Sequence, residues 1–184
     1  ILVLASVVDA TFVAKAEVRE WPVFGHLARL QRSIFIKREE RRQTREQADE
    51  MASRLNAGET VVLFPEGTTT DGNRLGDIKS SLFAAAASAA HFAPEGAVNV
   101  QPVAVAYTRI HGMPMGHYHR PVVAWPGDVE LMPHLLGILK TGALDVDVRF
   151  GDTVEVMVGT SRKHVSGFVR DQLRELLEKS LRGR

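Results

Sequence analysis

The sequence predicts an α/β fold, a single domain with a mixed or largely parallel sheet flanked by helices. Short apolar segments of strand length alternate with longer segments in which apolar residues recur at helical spacing, which is the pattern of α/β proteins. The chain has 184 residues, of which 45% are hydrophobic and 24% charged, so it can bury one sizeable core. We find no repeat, linker or low-complexity tract, and we predict one domain over residues 1–184.

The first third of the chain predicts three helices and three strands. In order, these are the end of a buried helix at 1–8, a strand at 11–15, a helix at 22–32, a strand at 33–37, a charged helix at 39–56 and a strand at 59–64. Pro22 suits a first helical turn because it has no N–H to leave unpaired. Gly58 suits a helix end because glycine adopts the left-handed conformation there.

The remainder predicts three helices and two strands. They are an alanine-rich helix at 80–92, a strand at 98–107, a helix at 131–140, a strand at 145–150 and a last amphipathic helix from about 161. The near-continuous apolar residues of 98–107 predict burial on both faces. We expect the alanine-rich helix to pack in the core and the last helix to pack on the sheet.

Charge and composition exclude several classes of protein. The 23 basic and 22 acidic residues give a net charge of +1, so no overall field favours nucleic acid. The chain has no cysteine, which excludes disulfides, thiolate zinc sites and a cysteine nucleophile. No window approaches the roughly 18 apolar residues of a membrane span.

The chain begins with Ile1 inside an apolar run, and we interpret it as a fragment whose upstream part is absent.

Residues 64–72 carry the clearest chemical signal. The apolar run that ends at Phe64 is followed by Pro65, a lone carboxylate at Glu66, a glycine and three threonines. Open α/β folds bind ligands at such strand ends. The segment therefore predicts a ligand-binding loop with one acid and several hydroxyl and N–H donors.

The same segment, Phe64-Pro65-Glu66-Gly67-Thr68, resembles the third sequence block of the glycerolipid acyltransferases. The second block resembles Lys15-Ala16-Glu17, Pro22-Val23-Phe24-Gly25 and Ile34-Phe35-Ile36-Lys37-Arg38. The fourth resembles Val100-Gln101-Pro102-Val103-Ala104-Val105. The resemblance runs from residue 1 to about residue 107, and three blocks in order are more specific than any one alone.

The family's first block, a His followed five positions later by an Asp, is absent. The seven histidines are His26, His91, His111, His117, His119, His134 and His164, and none has an Asp at that spacing. In the family this His takes the proton of the acceptor hydroxyl and the Asp orients its ring. The resemblance implies that no catalytic residue lies in this chain and that the fragment alone is inactive.

What the resemblance leaves in this chain is the acceptor site. It implies cationic and N–H donors for a lysolipid head group. The candidate substrate-binding residues are Lys15, Gly25, Arg38, Glu66, Gly67, Thr68 and Arg74. Lys15 and Arg38 supply charge, and Gly67 and Thr68 supply close backbone approach and a hydroxyl. We favour a structural role for Glu66, as an acceptor of backbone N–H bonds or the partner of a base, because a carboxylate repels a phosphate.

The implied function is transfer of a fatty acyl chain from acyl-CoA or acyl carrier protein to 1-acylglycerol-3-phosphate. No cofactor or metal is implied, and the implied place is the cytoplasmic face of the bacterial inner membrane. Thr69 stands where many members have a basic residue, and the run to Arg74 resembles a bacterial subgroup that includes lyso-ornithine lipid acyltransferases. Lyso-ornithine lipid is therefore the alternative acceptor.

Three other interpretations stay open. The chain could be a non-catalytic lipid-binding module, or a metal-dependent phosphate-ester hydrolase that uses His111, His117 and His119, although a plain surface loop is the favoured interpretation of those histidines. The basic residues between Arg29 and Arg45 could face anionic head groups or form a solvated surface.

Overall fold

The computed structural model describes residues 1–21, 24–36, 41–93, 95–125 and 129–182. The chain groups into two compact units. The first unit comprises Ile1–Pro65, Ser80–Val100 and Val154–Ser166, and the second comprises Glu66–Lys79, Gln101–Thr153 and Gly167–Arg184.

The described residues form six α-helices and eight β-strands. The helices are α1 (Leu2–Ala5), α2 (Phe24–Leu30), α3 (Arg41–Asn56), α4 (Ala84–Ala90), α5 (Leu131–Thr141) and α6 (Arg162–Arg182). The strands are β1 (Thr11–Lys15), β2 (Ile34–Ile36), β3 (Val61–Val62), β4 (Ala97–Val100), β5 (Val103–Ile110), β6 (Met113–Pro114), β7 (Leu144–Phe150) and β8 (Val154–Met157). Short 3₁₀ helices span Ala16–Glu20, Ser80–Phe83 and Arg120–Val122.

The first unit is built on a parallel sheet in the order β2-β1-β3. Val13 lies opposite Ile34 and Thr11 lies opposite Val61. Phe12 and Ile34 are each 1% exposed, and full burial of such a side chain contributes about 1.5–3 kcal/mol. Because parallel strands bring their carboxyl ends to one edge, this sheet sets where the residues that follow each strand begin.

Helices cover this sheet and complete its core. Met51 of α3 and Ala85 of α4 join Val13 and Ile34 in one buried cluster. Helix α4 packs against α3 and β4, and Ala89 and Ala90 are completely buried. This confirms the predicted packing role of the alanine-rich helix.

Helix α3 ends as its sequence predicts. Gly58 has a φ of +82°, the Gly58 N–H donates to the Leu55 carbonyl, and the Glu59 N–H donates to the Arg54 carbonyl. A left-handed glycine with such backward bonds satisfies the last carbonyls of a helix. The chain can therefore turn at Gly58 and enter β3.

The second unit contains an antiparallel sheet in the order β6-β5-β7. The pairing of β5 with β7 runs from Val103 opposite Phe150 to Ile110 opposite Leu144, with an irregularity between Tyr107 and Arg109. On β5 the alanines at 104 and 106 are buried, and the valines at 103 and 105 are only half-buried. In this unit, helix α6 buries Val169 and Leu173.

The predicted α/β class and parallel sheet are confirmed, and the single domain over residues 1–184 stays a prediction. Several elements differ from expectation. The predicted strand at 98–107 is two strands, because Pro102 has no N–H for a continuous ladder. Strand β4 pairs instead with β8, which the sequence prediction missed. The predicted strand at 59–64 shortens to Val61–Val62, and the first turn of the alanine-rich helix is 3₁₀.

Candidate functional site

The two candidate cations of the first unit, Lys15 and Arg38, lie in the sequence at or just after the ends of the parallel strands β1 and β2. Lys15 is the last residue of β1 and lies opposite Ile36 of β2. Its side chain and the whole of Arg38 lie outside the described residues, as do Pro22 and Val23. The backbone therefore places the ends of the two strands side by side, and the roles of Lys15 and Arg38 stay predictions.

Gly25 is explained by close packing within the first unit. It is buried in α2, and its N–H donates to the Trp21 carbonyl at 2.9 Å. A Cβ at this position would collide with the backbone carbonyl of Arg19 in the preceding 3₁₀ helix. The absence of a side chain lets α2 approach that turn, so the structure gives Gly25 a packing role.

Residues 66–79 of the second unit form a closed loop. Glu66 is half-buried, and its Oε2 accepts a hydrogen bond from the Gly76 N–H at 2.6 Å. A Cβ at Gly76 would lie 2.7 Å from the same oxygen, so only glycine permits this approach. Gly67, with a φ of +72°, provides the left-handed turn after the carboxylate. The expected structural role of Glu66, as an acceptor of a backbone N–H, is what the structure shows.

The electrostatics of Glu66 follow from this position. Burial raises the pKa of its carboxyl above the ordinary value, and the Gly76 N–H opposes that shift. The carboxylate thus closes a loop at the cost of partial desolvation.

The tip of this loop is held by a short polar network. The Asp71 carboxylate accepts hydrogen bonds from the Asn73 N–H at 3.0 Å and from Asn73 Nδ2 at 3.1 Å, and these bonds lower its pKa. Thr68 and Arg74 are exposed on the same loop. Glu66, Gly67, Thr68 and Arg74 therefore belong to one ordered segment, with Thr68 and Arg74 open to a ligand.

A cleft of about 400 Å³ lies in the first unit, and we call it the arginine cleft. It is lined by Arg19, Arg29, Arg32, Ser33, Phe35, Glu50 and Arg54. Arg54 is compensated by Glu50 at 3.7 Å and by Glu59 at 3.3 Å. Among the side chains that the structure describes, which exclude those of residues 41–48, no carboxylate lies within ion-pair distance of the other three arginines. The cleft therefore has a positive excess suited to an anion.

A second cleft, of about 360 Å³, lies in the second unit, and we call it the Arg120 cleft. Its lining includes Asn73 from the tip of the 66–79 loop and Glu178 and Arg182 from α6. Arg120 itself is only 6% exposed. It donates from Nη1 to Asn73 Oδ1 at 2.6 Å and from Nη2 to the Met115 carbonyl at 2.8 Å. The 66–79 loop is thus tied to a buried cation.

The described part of the chain lacks two features that would bear on function, a cluster of metal-ligating side chains and a helix able to span a membrane. Across the described ranges no three His, Cys, Asp or Glu side chains cluster closely enough to hold a metal ion. No helix in the described part of the chain is both long and apolar enough to cross a bilayer.

Helix α5 carries an uncovered apolar face. Met132, Leu136 and Leu139 are 47%, 49% and 69% exposed. Their spacing of four and three residues places them on one face of the helix. Such a face is available to an apolar environment outside the unit.

Comparison with known proteins identifies the class. The model of the Acyltransferase family matches residues 1–106, which include the strand-end residues and the Glu66–Thr68 turn. The chain belongs to the acyltransferase family.

Two relatives match this chain over all of its 184 residues. The chain is 59% identical over all 184 residues to the lyso-ornithine lipid O-acyltransferase of Rhizobium meliloti (strain 1021) and spans 63% of that protein. It is 54% identical over the same length to the lyso-ornithine lipid O-acyltransferase of Brucella abortus (strain 2308), of which it spans 69%.

A solved structure gives the same fold. The crystal structure of the 1-acyl-sn-glycerophosphate (LPA) acyltransferase PlsC from Thermotoga maritima matches with a TM-score of 0.61 and 21% identity. The match covers 100% of this chain and 61% of that one.

Sequence reasoning missed several residues of the two clefts. Arg19 and Arg54 line the arginine cleft together with Arg29 and Arg32 only because the 3₁₀ helix Ala16–Glu20, α2 and α3 pack together. Arg120 gave one weak signal, a lone arginine immediately before the apolar run Pro121-Val122-Val123. Its burial could not be deduced because arginine is usually exposed.

Proposed function

We propose that this chain is the acceptor-binding part of an enzyme that transfers a fatty acyl chain to the free hydroxyl of a lyso-ornithine lipid. The observation that carries this proposal is identity of 59% and 54%, over all 184 residues of this chain, to two proteins with that name. Membership of the acyltransferase family and the ordered Glu66–Thr68 loop support the general reaction.

The reaction consumes a thioester and an alcohol. The acceptor oxygen bonds to the acyl carbonyl carbon, the carbon–sulfur bond breaks, and the thiol leaves. The hydroxyl proton passes to a base and then to the departing sulfur. By family resemblance that base is a histidine in a His-x-x-x-x-Asp pair, which these 184 residues do not contain. Acyl-CoA or acyl carrier protein is the proposed donor, and no cofactor is needed.

The residues of this chain hold and orient the acceptor in this proposal. Glu66 keeps the loop closed by accepting the Gly76 N–H, while Thr68 and Arg74 are exposed on that loop. Lys15 is the last residue of β1, Arg38 comes two residues after β2 in the sequence, and both are proposed to supply positive charge. Positioning of this kind is a large part of catalysis for a reaction between two bound molecules.

The proposed acceptor is embedded in a bilayer, so the protein is proposed to work at the cytoplasmic face of the bacterial inner membrane. Two surfaces support contact with lipid. The arginine cleft of the first unit fits anionic head groups, and the α5 face of the second unit fits the acyl boundary.

1-Acylglycerol-3-phosphate is the second candidate acceptor. It is favoured by 33% identity over 89 residues to the 1-acyl-sn-glycerol-3-phosphate acyltransferase of Neisseria gonorrhoeae, a match that covers 48% of this chain. Thr69, which replaces a frequent cation at the phosphate contact, weighs against it.

The proposal is tested by deleting the gene in its native host and measuring the lipids by mass spectrometry. We expect the two-chain ornithine lipid to disappear and the one-chain form to accumulate, with recovery on re-expression. Accumulation of 1-acylglycerol-3-phosphate with normal ornithine lipid would support the second candidate. An unchanged lipid profile would favour a non-catalytic lipid-binding module.

A further inference from the structure

The Arg120 cleft contains a cation with no close counter-charge among the described residues of the second unit. Arg120 as a whole residue is 6% exposed, and no carboxylate among the described side chains lies within ion-pair distance of its guanidinium. Asp71 acts on it only through its longer-range field. A buried cation without a close counter-charge is costly and is normally paired.

The hydrogen bonding of Arg120 is also incomplete. Asn73 Oδ1 and the Met115 carbonyl take one bond each from Nη1 and Nη2. The Nε atom is buried and has no partner in the described part of the chain. A guanidinium offers five N–H groups, and each terminal nitrogen has used only one of its two in these bonds, so the terminal nitrogens retain donors for an acceptor in the cleft.

The ionisable groups that line this cleft indicate the charge of its ligand. Arg120 and Arg182 contribute two positive charges, Glu178 contributes one negative charge, and His117 also lines the cleft. Arg182 and Glu178 form an i,i+4 pair at 3.3 Å, with side chains 73% and 52% exposed. An exposed pair of this kind is weak, so Glu178 can exchange Arg182 for a ligand cation. The cleft therefore offers both cations and a carboxylate, which suits a ligand that carries a carboxylate and an ammonium better than a phosphate dianion.

We propose that the Arg120 cleft binds an amino-acid head group, with Arg120 holding its carboxylate and Glu178 holding its ammonium. This inference rests on the proposed function, because ornithine linked through its α-nitrogen to an acyl chain presents one carboxylate and one ammonium. It makes Arg120 a determinant of acceptor specificity that lies outside the family's sequence blocks.

The position of the cleft connects head-group binding with the acceptor loop. Arg120 holds Asn73, and Asn73 Nδ2 also donates to the His117 carbonyl at 3.4 Å. Asn73 lies on the loop that Glu66 closes through Gly76. A head group bound at Arg120 is therefore adjacent to the segment that carries Thr68 and Arg74.

The test uses the full-length protein and soluble probes in isothermal titration calorimetry. The probes are N-butanoyl-ornithine, its methyl ester, N-butanoyl-norvaline and glycerol 3-phosphate. We expect the free acid to bind at least about tenfold more tightly than the methyl ester, because the ester removes a charge-assisted bond. This comparison is made on the unmodified protein and does not depend on the folding of a variant.

Variants then assign the residues. Arg120→Gln should abolish the difference between acid and ester, and Arg120→Lys should retain part of it. Arg109→Gln, an exposed arginine of β5 that does not line the cleft, is the matched control and should leave it unchanged. Glu178→Gln should weaken N-butanoyl-ornithine but not N-butanoyl-norvaline, which lacks the side-chain amine.

Two results would overturn the inference. One is equal binding, or no binding, of the acid and the ester by the unmodified protein. The other is tighter binding of glycerol 3-phosphate that Arg120→Gln removes, which would identify a phosphate site. Absence of the acid–ester difference in the unmodified protein, together with normal ornithine lipid synthesis, would refute the cleft alone. A preserved difference with no acyl transfer would refute the proposed function alone.

Discussion

At the scale of single residues, Glu66 shows how a family signature can be structural. One oxygen of its carboxylate accepts a hydrogen bond from the Gly76 N–H, and Gly76 leaves room for that oxygen because it has no side chain. A charge-assisted bond to a half-buried amide stabilises a loop more than a neutral one does. Glu66 then maintains the shape of the loop, and Thr68 and Arg74 are exposed on that loop, where they can meet a ligand.

Removing this carboxylate should destabilise the protein. We expect Glu66→Ala to lower the free energy of unfolding in urea by about 1–3 kcal/mol, because the Gly76 N–H loses its acceptor. Glu66→Gln should cost less, since an amide oxygen can still accept. Asp77→Ala, an exposed change on the same loop, is the control and should stay within about 0.5 kcal/mol. Equal stability of Glu66→Ala and the control would refute the structural role.

The pH dependence of that stability has a definite sign. Burial raises the pKa of Glu66 above its ordinary value of 4.5. Folding therefore favours the protonated carboxyl. Its contribution to the free energy of unfolding is full below pH 4.5 and is lost as the pH rises through the pKa of the folded state. The stability of the unmodified protein relative to Glu66→Gln should fall as the pH rises above 4.5. A relative rise would contradict the assignment.

At the scale of elements, the close approach of α2 to the preceding turn depends on Gly25. We expect Gly25→Ala to lower the free energy of unfolding by about 1–3 kcal/mol, because the new methyl group overlaps a backbone carbonyl. Gly137→Ala in α5, where a Cβ meets nothing within 4 Å, is the matched control. It should raise stability by about 0.5–1 kcal/mol through helix propensity. Urea unfolding measures both, and equal effects would refute the packing argument.

Some elements could be predicted from the sequence alone, and others could not. Helix α3 with Gly58, strand β1 and helix α5 follow from local periodicity and end signals, and they were predicted within a few residues. The pairing of β4 with β8 joins segments more than fifty residues apart, which no local pattern encodes. The same limit applies to the clefts. The Glu66–Thr68 loop has a sequence signature, but the arginine cleft and the burial of Arg120 result from tertiary packing.

Helix α5 gives a prediction about lipid contact. Replacing Met132, Leu136 and Leu139 together by serine should weaken sedimentation with phospholipid vesicles at least about tenfold, because three apolar side chains no longer enter the interface. Phe92→Ser, which removes a single side chain that is 74% exposed, is the control and should have little effect. Unchanged sedimentation of the triple variant would show that this face does not meet the membrane.

At the scale of the whole molecule, the chain combines an acyltransferase family match over residues 1–106 with a second unit that carries the Arg120 cleft. The family blocks account for the reaction class, and they carry no information about the acceptor beyond Thr69. Relatives that are similar over all 184 residues, in contrast, share one acceptor in their names. Acceptor choice is therefore expected to depend on residues beyond position 106 as well as on the shared loop.

The most direct measurement is the ratio of kcat/KM for lyso-ornithine lipid and for 1-acylglycerol-3-phosphate, with the whole gene product assayed with both acyl-CoA and acyl carrier protein donors. The account predicts a ratio that favours lyso-ornithine lipid by at least about a hundredfold, the discrimination expected when a charged head group loses its buried partners. It also predicts no turnover by the 184-residue chain alone. A ratio at or below one would contradict the proposed acceptor.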